Sequence, residues 1–90
     1  MIDLREYVQG SEELEYLEEL RACEKTFTET SFDYKGHEFI IDPHGEKLCV
    51  YENVEGSSEY FYQDMDDFFL NFKLDGKSFI ERVSEIAFEE

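Results

Sequence analysis

The period of the apolar residues changes twice along this chain, and that change does most to limit its architecture. Between Ser11 and Lys25, Leu14, Tyr16, Leu17, Leu20 and Cys23 fall on one half of a helical wheel, with Glu12, Glu15, Glu18 and Glu19 on the other. Ser11 is the expected N-cap, with Glu12 and Glu13 in the first turn, where the helix dipole favours negative charge. From residue 26 to 62 the composition shifts to Thr, Phe, Tyr, Ile and Val, which suit a pleated surface. Phe32 and Tyr34 alternate with polar neighbours up to Lys35-Gly36, a tight-turn signal. A second strand, His37 to Asp42, puts Phe39 and Ile41 on one face. Asp42-Pro43-His44-Gly45 reads as a turn, because proline presets φ and glycine supplies a positive φ. A third strand, Lys47 to Val54, has Leu48 and Val50 to bury and Tyr51 as a further candidate, ahead of a turn at Glu55-Gly56-Ser57-Ser58. Glu59-Tyr60-Phe61-Tyr62 reads either as a fourth short strand or as the opening of a helix.

A helical period returns at Asp64, the expected N-cap of a short helix reaching about Phe72, with Asp66 and Asp67 in its first turn. Phe68, Phe69 and Phe72 have helical spacing and are expected in the core. Asp75-Gly76 breaks this helix. A last helix starts at Lys77 or Ser78 and carries Phe79, Ile80, Val83, Ile86 and Ala87 on one stripe. The expected fold is therefore α+β: an N-terminal helix, a three- to four-stranded antiparallel meander, and two C-terminal helices, with the helices on one face of the sheet. Ninety residues make a single domain, 1–90, around one core. Nine Phe and six Tyr let that small core bury a large area with few residues.

Charge narrows the function. Eight basic against 24 acidic side chains leave a net charge of −16. Repulsion among so many carboxylates opposes compaction, a cost for which folding itself gives no reason. Direct nucleic-acid binding is excluded, because phosphate contacts need Lys and Arg to release counterions. An anionic membrane surface is disfavoured for the same reason. A basic protein partner, a cation, or solubility alone is what remains. Cys23 and Cys49 do not make a disulfide framework. The first residues, Met1 to Glu6, lack the basic and apolar regions of a signal peptide, and no apolar run reaches membrane-spanning length. The expected compartment is the cytoplasm, that of the host cell if the chain is phage-encoded.

Catalytic constellations are missing from the sequence. Cys23, His37, His44 and Cys49 lack the close ligand pairs of a zinc site. Asp64, Asp66 and Asp67 fail the calcium-loop pattern at its central positions and read as an acidic helix start. There is no nucleophile elbow, phosphate loop or zinc-protease motif. A non-enzyme with no catalytic residues, no metal and no cofactor is expected. The candidate partner-binding residues are Glu52, Glu55, Glu59, Asp64, Asp66 and Asp67, with Tyr60 and Tyr62 as aromatic contacts. Glu12, Glu15, Glu18 and Glu19 form a second acidic surface. Carboxylates spread over a surface can stand in for nucleic-acid phosphates and occupy a basic channel, with steering that raises on-rates by about 10- to 10³-fold. Two other readings are an immunity- or antitoxin-like protein that caps a basic nuclease, and a small adaptor whose charge serves only solubility.

Two stretches carry a resemblance. Gly36-His37-Glu38-Phe39-Ile40-Ile41 is similar to an early strand, and Phe61-Tyr62-Gln63-Asp64-Met65 to an aromatic-acidic stretch, of the small acidic anti-CRISPR proteins with which phages inhibit type II-A Cas9. Size, acidity and element order are also alike. The resemblance implies an inhibitor that fills the PAM-reading site of the nuclease with carboxylates. Ser57-Ser58 stand where that family has a carboxylate run, so no individual PAM-site residue carries over.

Overall fold

The structure is a computed structural model and describes residues 1–87. A short 3-10 turn at Leu4–Glu6 precedes helix α1 (Ser11–Lys25). Strands β1 (Thr30–Tyr34), β2 (His37–His44), β3 (Lys47–Glu52) and β4 (Glu59–Tyr62) follow, then helix α2 (Met65–Asn71). A small hairpin of β5 (Lys73–Leu74) and β6 (Lys77–Ser78), a 3-10 turn at Ile80–Arg82 and helix α3 (Val83–Ala87) complete the described residues. The main sheet is an antiparallel meander of four strands in the order β1-β2-β3-β4, so the expected α+β architecture is observed.

Hairpin chemistry explains the meander. Lys35 (φ 49°) and Gly36 (φ 83°) link β1 to β2, and both positive φ values match the turn whose twist suits antiparallel strands. Asp75 (φ 52°) and Gly76 (φ 82°) do the same between β5 and β6. The sequence expectation that Asp75-Gly76 merely stops a helix, with a new helix starting at Lys77 or Ser78, is thus corrected: these residues close a hairpin, and helical backbone resumes only at Ile80.

Three further expectations change. Asp42-Pro43-His44-Gly45 is not a turn: β2 runs through Pro43 to His44, and the link to β3 is Gly45-Glu46, with Gly45 at φ 65°. Proline is tolerated because pairing with β1 ends at Thr30↔Ile41, so no neighbouring strand asks Pro43 for the N–H it lacks. Ser11 lies inside α1 instead of capping it; Gly10 is the N-cap, without a side-chain bond, and the Glu13 carboxylate folds over it where a Cβ would fall. β3 also stops at Glu52, short of Val54.

One core joins all layers. Phe32, Ile41, Leu48 and Val50 project from one sheet face onto Phe68, Phe69, Phe72, Phe79, Ile80, Val83 and Ile86, and Leu17 and Leu20 of α1 join the same cluster. Rings hold its centre: Phe68 and Phe79 lie 4.6 Å apart, Phe32 and Phe79 5.0 Å, and Phe32 and Phe39 stack at 5.1 Å. The N-terminal residues are pinned by one polar junction. Arg21 Nε donates to Asp66 Oδ1 (2.8 Å), Arg21 Nη2 donates to the Ile2 carbonyl (2.7 Å), and Ile2 N donates to Asp66 Oδ2 (3.1 Å). Among the described residues no helix is long and apolar enough to cross a membrane.

Candidate protein-binding face

Strand register sorts the side chains of the sheet into two sets. Across the sheet, Phe32 faces Phe39, Ile41 faces Val50, and Leu48 faces Tyr62, so Tyr60 and Tyr62 belong to the helix-covered side. The alternate residues point the other way. Their rows run Ile40–Tyr51–Glu59 and Asp42–Cys49–Phe61, flanked by Asp33 and Glu38. Among the described residues the helices pack on the first side only, which leaves the second as an open face.

The open face has an apolar centre and an acidic rim. Cys49 is buried there (6% exposed), Ile40 and Tyr51 are half-buried, and Phe61 stands 60% exposed. Asp33, Glu38, Asp42 and Glu59 surround them, with Glu29 beside Tyr51. Lys47 lies on this face at the hairpin end, paired with His44. Burial raises the Tyr51 phenol above its ordinary value, and Glu29, Asp42 and Glu59 add to the rise. Cys49 is pushed up to about 11, first by burial, then by Glu59 and Asp42, and its Sγ donates to Glu59 Oε2 at 3.4 Å. Its thiol is therefore protonated at neutral pH, an apolar plug instead of a nucleophile.

The candidate residues chosen from the sequence are divided by the fold. Glu59 alone of the eight lies on the open face. Tyr62 packs edge-on against Phe68 (5.6 Å), and Tyr60, on the same side, is 53% exposed. Glu52, also on the helix side, lies with its Oε2 2.7 Å from His37 Nδ1. Glu55 is exposed in the loop 53–58. Asp64 caps α2 by accepting from Asp67 N (2.8 Å), and Asp67 accepts from Gln63 N (2.9 Å). Asp66 is taken up by Arg21. The second set does share a surface: Glu12, Glu15 and Glu19 line a shallow depression on α1 with the half-buried Tyr16, and Glu18 is also exposed. Burial pushes the Tyr16 phenol up to about 12, helped by Glu19 and Asp33.

Sequence reasoning overlooked Glu29, Asp33, Glu38, Ile40, Asp42, Tyr51 and Phe61. One signal was present: once Phe39 and Ile41 are assigned to the core, Glu38, Ile40 and Asp42 must point away from it. Among the described residues no group of three or more His, Cys, Asp or Glu side chains is placed to hold a metal ion. No protein-family model matches the chain, and neither the curated proteins nor the solved structures contain a significant match.

Proposed function

We propose that this chain is an acidic binding protein that inhibits a nucleic-acid-binding protein, covering its basic site with carboxylates in place of phosphates. One observation carries the reading: the open sheet face, where Phe61, Tyr51 and Ile40 sit inside a rim of Glu29, Asp33, Glu38, Asp42 and Glu59. Aromatic anchors supply the desolvated centre that makes an interface stable, and the rim supplies steering toward positive potential. Free carboxylates alone would explain solubility. They do not explain a large ring left standing in water among them. The anti-CRISPR resemblance points to the same class of activity, blockade of a nuclease at its DNA-reading surface.

Competition tests this reading. A basic DNA-binding protein recovered on the immobilised chain at low salt is loaded with a fluorescent duplex, and the free chain is titrated in. Displacement of the duplex is expected, with an association rate that falls steeply as salt rises. The triple change Asp42→Lys, Glu59→Lys and Phe61→Ala should abolish displacement. Changing Glu12, Glu15, Glu18 and Glu19 to Gln should leave most of it. Unaltered displacement by the triple variant would sink the assignment to this face, and capture of a nuclease whose catalysis is blocked without duplex release would favour the capping role instead.

A further inference from the structure

The sheet has one edge that offers backbone hydrogen bonds beside two exposed aromatic side chains. Asn53 N donates to the Glu38 carbonyl at 2.8 Å, which marks Glu38↔Asn53 as a hydrogen-bonded pair of the β2–β3 ladder. Bonded and non-bonded pairs alternate in antiparallel sheets, so Ile40↔Tyr51 and Asp42↔Cys49 are bonded as well. The backbone groups of Leu48 and Val50 consequently turn to β4, where they meet Tyr62 and Tyr60. It follows that Glu59 and Phe61 direct their N–H and C=O groups away from the sheet, at its free edge.

Natural edges are usually blunted by lysine, proline or a bulge. β4, Glu59-Tyr60-Phe61-Tyr62, has none of these, and it carries an exposed ring on each side, Tyr60 at 53% and Phe61 at 60%. Next to Tyr60 and Tyr62 lies a groove of about 400 Å³ lined also by Phe39, Asn71, Phe72 and Lys73. Apolar rings dominate it, and Lys73 repels a cation. On the other side of the same strand stand Phe61 and Glu59, with Asp42 in the row of Phe61.

We infer that β4 accepts an extended segment of a basic protein as a fifth strand, with apolar side chains over the Tyr60–Tyr62 groove and Lys or Arg side chains over Phe61 and Glu59. The inference rests on the reading above that the partner is basic, and adds the form in which it binds. Charge selects this occupant over a second copy of the chain, since edge-to-edge pairing of two copies would bring together two bodies of −16 each. Strand addition supplies main-chain bonds, and alternation of side chains supplies the specificity.

A capped peptide of alternating lysine and valine tests the inference on the full chain, by amide hydrogen exchange resolved to single residues. The N–H groups of Glu59 and Phe61 should slow by about 5-fold or more, while those of Ser31 and Asp33 on the opposite edge keep their rates. A peptide of alternating glutamate and valine should change none of them. The pair Glu59→Pro and Glu59→Gln isolates the backbone: both remove the carboxylate, only proline removes the outward N–H, and the proline variant should bind the lysine peptide about 5-fold more weakly. Should the proline variant fail to fold, exchange in the unaltered chain decides alone. Equal slowing by both peptides, slowing at Ser31 and Asp33 instead, or concentration-dependent pairing of the chain through β4 would overturn the inference. Unslowed Glu59 and Phe61 together with lost duplex displacement in the triple variant would remove strand addition and leave the open-face reading standing. Slowed Glu59 and Phe61 with displacement intact in that variant would do the reverse.

Discussion

Phe27 sits at φ 53°, a left-handed backbone that costs a bulky residue about 1–2 kcal/mol, and its ring is 65% exposed. The strain has a local origin. Thr28 N donates to the Cys23 carbonyl (2.8 Å) and Phe27 N to the Glu24 carbonyl (3.2 Å), the helix-ending motif that normally places glycine where Phe27 stands. Phe27→Gly should therefore raise unfolding stability by about 1 kcal/mol in a urea titration, and a loss instead would show that what the ring contributes to the fold outweighs the strain. Asp75 invites a different test. Hydrogen bonds from Lys35 Nζ (2.7 Å) and Tyr34 Oη (2.9 Å) hold its carboxyl below the ordinary aspartate value. A group lowered on folding stabilises the fold above its unfolded pKa and ceases to do so as pH falls through the folded value. Asp75→Asn should thus lower Tm at neutral pH, with the gap from the unaltered chain closing on acidification below the usual carboxylate range. A gap that persists unchanged at low pH would mean the ionised carboxylate has no part in holding the two hairpins together.

Among the elements, α2 depends most visibly on its own ends. Met65–Asn71 is too short to persist by propensity, so its reciprocal cap and its buried rings must hold it. Asp64 accepts from Asp67 N while Asp67 reaches back to Gln63 N. Asp64→Ala should cost about 1 kcal/mol, read as a lower urea midpoint with unchanged slope; no cost would mean packing of Phe68 and Phe69 alone fixes the helix. The same scale explains what the sequence discloses. α1 is legible because its leucines and glutamates alternate with a helical period over four turns, and the β1–β2 hairpin because Lys35-Gly36 is a turn in itself. Pro43 misleads because proline punctuates by default, whereas its tolerance here depends on where the neighbouring strand ends. Which side Tyr60 and Phe61 present is set by the β3–β4 register after the loop 53–58, a tertiary outcome that no local pattern states. The open face inherits that dependence. Its β2 half, Glu38, Ile40 and Asp42, follows from Phe39 and Ile41 being inside, but its β4 half does not.

At the scale of the whole molecule, three of the eight basic side chains tie elements of the fold together. Arg21 joins the N-terminal residues and α1 to α2, Arg82 donates to the Leu74 and Asp75 carbonyls, and Lys35 ties Asp75 to the β1–β2 turn. The acids of the open face and of the α1 ridge, by contrast, form no ion pair among the described residues. Two consequences of salt should then run in opposite directions. Screening relieves self-repulsion, so stability should rise when ionic strength increases from about 0.01 M to about 0.5 M, because the screening length contracts well below the size of the domain. In a domain of this size each 1 kcal/mol gained appears as roughly 4–8 °C in Tm. The same screening should slow association with a basic partner, because steering depends on the unscreened field. A Tm that falls with salt would show that the ion pairs outweigh the repulsion, and the excess of carboxylates would then need no partner to account for it. A Tm that climbs while association slows identifies charge that burdens the isolated fold and acts on something outside it.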